Sequence, residues 1–250
     1  MGEYKDLSFL YDAVMEEAPY EPWFQFLQNY FGSLTSFDFV DIGCGTGKFT
    51  TMLAENAHFV TGVDLSPEML AIANNRCEEA KLTNIRYLCQ DARELELRAA
   101  VDVAVSTCDT LNYMLTEEDL EIVFGSVYRI LKPGGWFGFD MLGNGRGQKL
   151  RQGVWYDVDD NRVLLYETDV SEVGRIDYDV LCFMKQDNAL YRRFEEHHVQ
   201  KLFNHQIITK LLLKSGFKPV VCLGDFGSSQ VEEADRIIFF CEREGTSTRA

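Results

Sequence analysis

The chain lacks a long apolar run, an excess of basic residues and a paired cysteine motif. Its 24 Lys and Arg are outnumbered by 40 Asp and Glu, giving a formal net charge of −16. This balance excludes the chain-wide positive footprint that a nucleic-acid backbone attracts. No apolar run approaches the length of a membrane span, and the first residues lack the apolar core of a signal peptide. We therefore expect a cytoplasmic protein that does not associate with a membrane, and the acidity disfavours a nucleic-acid partner.

The cysteines argue against a disulfide framework and against a zinc site. There are seven of them, an odd number, scattered along the chain with no C-x-x-C pair. Such usage is typical of reduced thiols in the cytoplasm. With 250 residues of ordinary globular composition, the chain is long enough for one large α/β domain with room for an insertion.

The most informative stretch is residues 39–50, where three glycines follow an apolar run and precede a helix-like segment. The run before the glycines suits a strand buried on both faces of a parallel sheet. At a strand-to-helix turn, Gly43, Gly45 and Gly47 permit positive φ and let a ligand lie against the main chain. The free N–H groups at the helix start then face whatever binds there.

Spacing separates the ligand classes that use such a turn. A phosphate-binding P-loop needs glycine where Ile42 stands, and Ser or Thr where Phe49 stands. A dinucleotide fingerprint needs its third glycine at Lys48. The pattern present is acidic-x-Gly-x-Gly-x-Gly, led by Asp41. It resembles the first motif of the class I S-adenosylmethionine-dependent methyltransferases.

Downstream residues agree with this resemblance. Asp64 ends the second predicted strand, where a carboxylate faces the ribose of a nucleoside, which suits both adenosylmethionine and NAD. Asp91 and Ala92 follow the third predicted strand. At these positions the resembled family has an Asp whose side chain contacts the adenine amino group, and a backbone N–H that contacts the adenine ring. Asp91 is also a common turn residue. The segment Leu-Lys-Pro-Gly-Gly at 131–135 resembles the same enzymes.

Taken together, the periodicity and the resemblance predict a doubly wound, mostly parallel, seven-stranded Rossmann-like α/β sheet. Core strands are expected at 37–42, 58–63, 84–89, 101–106 and 136–141, with an antiparallel pair at 217–223 and 236–241. Ser66 and Pro67 predict a helix start, as does Thr116, and a further helix is expected over 201–215. Residues 37–150 and 201–250 would form the core. The alternation within 151–200 predicts an antiparallel β insertion after strand 5, of three or four strands.

Residues 1–36 are predicted to form an N-terminal helical lid. The aromatic string from Tyr11 to Trp23 resembles a bacterial small-molecule subgroup of the family, in which such a segment closes over the cofactor. For Tyr11, packing and ligand contact remain equally open. The resemblance implies these cofactor-binding positions: Tyr11, Asp41, Gly43, Cys44, Gly45, Gly47, Asp64, Leu65, Met69, Asp91, Ala92 and Cys108.

The acceptor site is expected beside the carboxyl end of the fourth strand, since ligands of open α/β sheets bind there. Methyl transfer from a sulfonium requires the two reactants in line and, for some nucleophiles, removal of a proton. Asp109, Asn112 and Tyr113 are the candidate substrate-binding residues, and Asp109 is also a candidate base. A contact with the cofactor or a helix start explains Asp109 and Asn112 equally well.

His197 is the second candidate base, within a polar cluster at 195–198. Strand alternation sends His197 and His198 to opposite faces, so only one of them points inward. A structural role remains open for either. Two adjacent histidines on a strand do not easily bind one metal ion, and no third ligand stands out, so we expect no metal.

Three functions remain open at this point. The leading one is a methyltransferase that acts on oxygen or nitrogen of a small molecule, as a monomer or homodimer. A tRNA or rRNA methyltransferase is the second, although residues 107–110 lack the Asn/Asp-Pro-Pro-aromatic motif of base-amino methylation. A non-catalytic adenosylmethionine-binding protein is the third. Asp109 and Asn112 favour turnover, as would an enclosed acceptor pocket.

Overall fold

The computed structural model describes residues 18–151, 153–186 and 190–245. Tyr11 and the rest of residues 1–17 of the predicted lid therefore lie outside the described residues. The helices are α1 (Tyr20–Phe31), α2 (Lys48–Ala54), α3 (Pro67–Glu79), α4 (Glu117–Ile130), α5 (Asn144–Leu150) and α6 (His205–Lys214). The strands are β1 (Asp38–Ile42), β2 (Phe59–Asp64), β3 (Ile85–Cys89), β4 (Val101–Ser106), β5 (Leu131–Leu142), β6 (Val154–Val158), β7 (Arg162–Val170), β8 (Arg175–Lys185), β9 (Tyr191–Lys201), β10 (Phe217–Gly224) and β11 (Arg236–Arg243).

Seven strands form the central sheet in the order β3-β2-β1-β4-β5-β11-β10. Strands β1 to β5 are mutually parallel, whereas β11 runs antiparallel to both β5 and β10. The predicted fold class is thus confirmed. Since β1 and β4 are central neighbours, their carboxyl ends and the loops that follow them meet at one edge of the sheet.

Helices cover both faces of this sheet, so its central strands bury apolar side chains on both faces. Val40 and Ile42 of β1 face the core beneath α4 and α6, while Phe39 faces the core beneath α1 and α2. Successive side chains of a strand point to opposite faces, which explains the continuous apolar run before the glycines. Trp23 of α1 is fully buried in the second core, so this helix is part of the fold's packing.

Local capping chemistry sets the helix starts that the sequence predicts. Ser66 Oγ accepts the N–H of Met69 at 3.2 Å, with Pro67 at the first helical position. Thr116 Oγ1 accepts the N–H of Asp119 at 3.0 Å. A side-chain acceptor at these positions satisfies an N–H that the helix itself leaves unpaired. Both predicted starts are confirmed.

Two boundaries and one helix differ from the sequence expectations. Helix α6 begins at His205 because Asn204 caps it, accepting the N–H of Gln206 at 2.8 Å, and Lys201 belongs to β9. Strand β5 begins at Leu131, with the Lys-Pro-Gly-Gly segment as an irregularity in its pairing with β4. Helix α5 is not predicted at all. Two of its seven residues are glycine and no side chain caps it, so its sequence gives no helical signal.

The insertion is an antiparallel sheet in the order β6-β7-β8-β9. Asp159 forms the turn between β6 and β7, its Oδ1 accepting the N–H groups of Asn161 at 2.7 Å and Arg162 at 2.9 Å. The register between β8 and β9 places Tyr178 opposite His198. Directly opposed residues of an antiparallel pair share a face, so these two side chains lie on the same side. In the part of the chain that is described, no helix is long and apolar enough to cross a membrane.

Candidate active site

The glycine turn, residues 43–47, has the backbone that its sequence predicts. Gly43, Gly45 and Gly47 have φ of +72°, +52° and +75°. The Gly43 N–H donates to the Val63 carbonyl at 2.8 Å, which ties the turn to the end of β2. A Cβ on Gly43 would lie 2.3 Å from Cγ2 of Thr110, so this glycine is required by close approach as well as by φ.

Asp64 lies at the mouth of the glycine turn. Its Oδ2 accepts the Gly45 N–H at 2.8 Å, and its Oδ1 accepts the Ser66 N–H at 2.9 Å. Burial raises the pKa of Asp64, and the backbone N–H groups partly offset this by favouring the charged form. The carboxylate is thus held at the carboxyl end of β2 in the place that a ribose-binding acid would occupy.

Asp41 supports the turn from inside the core. Its side chain is 1% exposed and accepts the hydroxyl hydrogen of Thr50 at 2.6 Å. Burial raises the pKa of Asp41 to about 7, nearby Asp64 adds to the rise, and Thr50 opposes it. Such a side chain shapes the backbone around a ligand and does not itself meet solvent.

The remaining cofactor candidates differ in exposure. Leu65 is 62% exposed beside Asp64, whereas Met69, Cys44 and Cys108 are buried. All seven cysteines are free thiols, as predicted. Burial raises the pKa of Cys44 well above its ordinary value, and the same cause raises that of Cys108. Neither thiol is therefore poised as a nucleophile.

Asp91 has a partner that the sequence analysis missed. Arg93 Nη2 lies 2.7 Å from Asp91 Oδ2, and its Nε lies 3.0 Å from Oδ1. The Arg93 hydrogen bonds hold the pKa of Asp91 below its ordinary value. Arg93 also reaches Asp119 of α4 at 3.1 Å. In this structure the Asp91 carboxylate faces Arg93, so an adenine amino group would have to share that carboxylate with the arginine. Arg93 is only two residues from Asp91 in the sequence, and this spacing is the signal from which the ion pair could be predicted.

The loop after β4 has an unusual backbone. Cys108 and Asp109 both have positive φ, +58° and +52°, a region that non-glycine residues seldom adopt. Asp140 of β5 holds them there, because its carboxylate accepts the N–H of Cys108 at 3.1 Å and of Asp109 at 2.7 Å. The Asp140 side chain is fully buried and also accepts the indole N–H of Trp23 at 2.5 Å.

Arg236 of β11 joins the carboxylate of Asp109 in this loop to that of Asp140 on β5. One of its terminal nitrogens donates to Asp140 and the other to Asp109 Oδ1, the latter at 3.0 Å. Burial lowers the pKa of Arg236, but the two carboxylates raise it beyond its ordinary value, so the guanidinium stays charged. Gln200 of β9 donates to Asp109 Oδ2 at 3.1 Å. Both oxygens of Asp109 are thus engaged, which does not support its prediction as a base.

Asn112 joins the insertion to the core. Its Nδ2 donates to the Lys201 carbonyl at 2.7 Å, and its Oδ1 accepts the Leu142 N–H at 3.0 Å. The side chain is fully buried. Both ends of the amide are committed to backbone partners, so the geometry gives Asn112 a structural place and not the substrate contact that the sequence analysis proposed.

The two histidines of β9 lie on opposite faces, and the predicted one is on the outer face. His197 is 53% exposed, with Nδ1 2.8 Å from Asp179. His198 is buried, with Nε2 3.0 Å from Glu196 and Nδ1 3.5 Å from Tyr113 Oη. The prediction of His197 as the base is therefore not supported by its position. Alternation gives the two faces but does not say which one the core covers.

Comparisons with known proteins agree with this architecture. A family model described as a methyltransferase domain matches residues 39–135. A candidate methyltransferase of Bacillus subtilis (strain 168), YqeM, is 30% identical over 247 residues, covering 97% of this chain and 98% of its own.

Solved structures share the fold over most of both chains. The crystal structure of an S-adenosylmethionine-dependent methyltransferase from Clostridium acetobutylicum ATCC 824 superposes with a TM-score of 0.84 at 26% identity, covering 97% and 99% of the two chains. The sugar N-methyltransferase KedS8 from Streptoalloteichus has a TM-score of 0.76 at 21% identity, with coverage of 98% and 94%.

Removing the Asn112 amide should destabilise the protein. Asn112→Ala leaves the Leu142 N–H and the Lys201 carbonyl buried without this partner, which should lower the free energy of unfolding by about 2 kcal/mol or more. Urea denaturation measures the loss. Asn74→Ala is the matched control, because that amide donates to the Leu70 carbonyl within its own helix α3, and it should change stability by about 0.5 kcal/mol or less. Equal losses for the two variants would contradict the structural role.

Asp41 should make stability fall as pH rises. The folded state holds a proton on Asp41 up to about pH 7, whereas an ordinary Asp releases it near 3.8. Between these values the folded state binds more protons, so the free energy of unfolding should decrease with rising pH, by about 1.4 kcal/mol per unit at most.

Asp41→Asn should remove this slope while keeping the acceptor for Thr50. Urea denaturation at several pH values between 4.5 and 8 (roughly the window of the shifted group) compares the variant with the parent. Thr50→Val removes the hydrogen bond that lowers the pKa, and should extend the slope to higher pH. Identical slopes in all three proteins would show that Asp41 is not the titrating group.

Proposed function

Because the chain belongs to the class I S-adenosylmethionine-dependent methyltransferases, we propose that it methylates oxygen or nitrogen of a small-molecule acceptor. Its cofactor is S-adenosylmethionine, which supplies an activated methyl group on a sulfonium when bound. The acceptor is proposed to bind between the loop at residues 107–113 and the inner face of the insertion sheet, the face that carries Tyr178, His198 and Gln200.

The chain has suitable groups for the cofactor at the glycine turn. The backbone carries no side chain at the three glycines of the turn, Gly43, Gly45 and Gly47. Each of them also has a positive φ, which glycine adopts readily. Asp64 offers a carboxylate at the end of β2 for the ribose hydroxyls. These features fit a nucleoside bound across the carboxyl edge of β1 and β2. We assign Asp41 to support of the turn and Asp91 to the adenine end, with Arg93 as its neighbour.

The observation that carries the proposal is the joining of the insertion to the loop after β4. Gln200 meets Asp109 at 3.1 Å, and the Lys201 carbonyl meets Asn112 at 2.7 Å. The last residues of β9 therefore lie against the loop that begins where β4 ends. A site walled by two such elements suits a small acceptor, because closure around reactants orients them and excludes water.

Other observations favour a small acceptor over RNA. The net charge of −16 opposes approach of a polyanion, and binding to one would rely on Lys and Arg contacts to phosphates. KedS8, which shares the fold, is a sugar N-methyltransferase. A small polar acceptor is consistent with that relationship.

Asp64→Ala should weaken cofactor binding. The variant removes the proposed ribose acceptor and the acceptor for the Gly45 N–H, so the affinity for S-adenosylhomocysteine should fall at least tenfold, about 1.4 kcal/mol. Isothermal titration calorimetry measures it. Asp38→Ala is a matched control at the amino end of β1, where that carboxylate faces His58 and Lys132, and it should bind normally. An unchanged affinity for Asp64→Ala would remove the ribose assignment.

The acceptor class is tested with S-adenosylmethionine that is tritiated on its methyl group. The protein is incubated with the low-molecular-mass fraction of a bacterial extract and, separately, with total RNA. We expect label in small molecules and none in RNA. Label confined to RNA would favour the tRNA or rRNA reading. Cofactor binding by calorimetry without transfer to either fraction would favour a non-catalytic binding protein.

A further inference from the structure

A carboxylate, an imidazole and a phenol are aligned between the insertion and the core. Glu196 and His198 on β9 have side chains only 9% and 7% exposed, with 3.0 Å between Glu196 Oε2 and His198 Nε2. Tyr113 Oη lies 3.5 Å from His198 Nδ1, and the two rings are 6.1 Å apart and nearly perpendicular. We propose that Tyr113, His198 and Glu196 form a proton relay that removes the acceptor's proton, an inference that rests on the proposed function.

The partners of the imidazole define its protonation. A carboxylate only accepts hydrogen bonds, so His198 Nε2 carries the hydrogen that faces Glu196. In the neutral ring, Nδ1 then holds a lone pair directed towards Tyr113, whose hydroxyl can donate to it. Glu196 fixes this tautomer and stabilises the imidazolium that forms when Nδ1 takes a proton. Glu196 is therefore a positioning residue in this relay.

The described neighbours of His198 on the inner face come from β8, β9 and the loop after β4. Tyr178 of β8 lies opposite His198 in the sheet register. Two residues further along β9, Gln200 contacts Asp109, whose charge is paired with Arg236. Asp177 and Asp179 belong to the outer face with His197. Among the described contacts of His198, the acid is Glu196, which suits a histidine that gains a proton during turnover.

The relay starts beside the glycine turn. Tyr113 ends a short 3₁₀ helix, Thr110–Tyr113, and Thr110 packs directly on Gly43. Tyr113 is therefore three residues along the chain from Thr110, the residue that contacts the turn proposed to bind the cofactor. Asp109, the other candidate base, is paired with the charged Arg236 and also accepts from Gln200, and both contacts make it a weaker proton acceptor.

The proposed step balances as follows. The acceptor's X–H proton passes to Tyr113 Oη while the phenolic hydrogen passes to His198 Nδ1, giving an imidazolium paired with Glu196. The electron pair of the X–H bond becomes the new X–CH₃ bond, and the sulfur keeps the pair of its broken bond to carbon. The tyrosine ends in its starting form. The relay serves an acceptor whose nucleophile loses a proton, a hydroxyl or an amine that carries hydrogen.

The test compares His198→Asn with His197→Asn, a matched change on the outer face of the same strand. Thermal unfolding and calorimetry with S-adenosylhomocysteine come first, and both variants should fold and bind within twofold of the parent. Transfer of the tritiated methyl group to the small-molecule fraction is then measured against pH. His198→Asn should lose at least 100-fold of the rate near pH 7 and the limb that rises with deprotonation of histidine. His197→Asn should keep both.

NMR of the ring nitrogens gives a readout that does not depend on turnover. The chain has only four histidines, at 58, 197, 198 and 205, so their ring signals can be assigned with single variants. In the parent protein the ring hydrogen of His198 should lie on Nε2, and Glu196→Ala, which removes the acceptor, should shift the tautomer balance of His198 and leave that of His197 unchanged. If the tautomer of His198 does not respond, Glu196 does not set it and the relay is wrong.

The outcomes separate the relay from the proposed function. If the parent protein labels no small molecule, both fail together. If the parent transfers label and His198→Asn keeps its rate and pH limb, only the relay is overturned. Should His198→Asn fail to fold, Tyr113→Phe replaces it as the conservative variant. It removes only the hydroxyl, so loss of at least 100-fold in rate with normal cofactor affinity supports the relay, and an unchanged rate overturns it.

Discussion

The buried carboxylate of Asp140 is the constraint on which the site depends. An ionised carboxylate inside a protein is tolerated only when charged and polar partners surround it. Asp140 has such partners from four directions: the N–H groups of Cys108 and Asp109, the indole of Trp23 and the guanidinium of Arg236. These bonds fix the left-handed backbone after β4, which would otherwise cost about 1–3 kcal/mol per residue. The Asp140 carboxylate of β5 therefore connects three other parts of the fold: helix α1, strand β11 and the loop after β4.

That charge is linked onward to the insertion. Arg236 joins Asp140 to Asp109, and Asp109 joins Gln200 of β9. Removing a member of such a network leaves a buried charge without compensation, which is costly in a low-dielectric interior. The network thus places Asp109 as a structural anion. In our proposal the proton chemistry falls to His198, on the inner face of the insertion, which lies 3.0 Å from its own carboxylate partner Glu196.

Sequence reasoning succeeded where neighbouring residues decide the structure. The glycine turn and the caps at Ser66 and Thr116 follow from spacing and local chemistry, and the seven-stranded sheet is implied by the family resemblance. It failed where distant residues decide. Asp109 meets partners 91 and 127 residues away, which no local pattern contains. The two faces of β9 were predicted, but the inner one is chosen by the packing of the insertion against the core. Arg93 beside Asp91 is the exception, a close neighbour that was overlooked.

The two halves of the site therefore have different origins in the sequence. The cofactor half is made by one continuous stretch and the ends of adjacent strands, so a motif can identify it. The proposed acceptor half is assembled from the loop after β4, β9 and β11 through side chains that have no fixed spacing. A substitution in the insertion can therefore alter the proposed acceptor face without changing a residue of the glycine turn. Family membership consequently identifies the cofactor of this chain, whereas its acceptor has to be inferred from the inner face of the insertion.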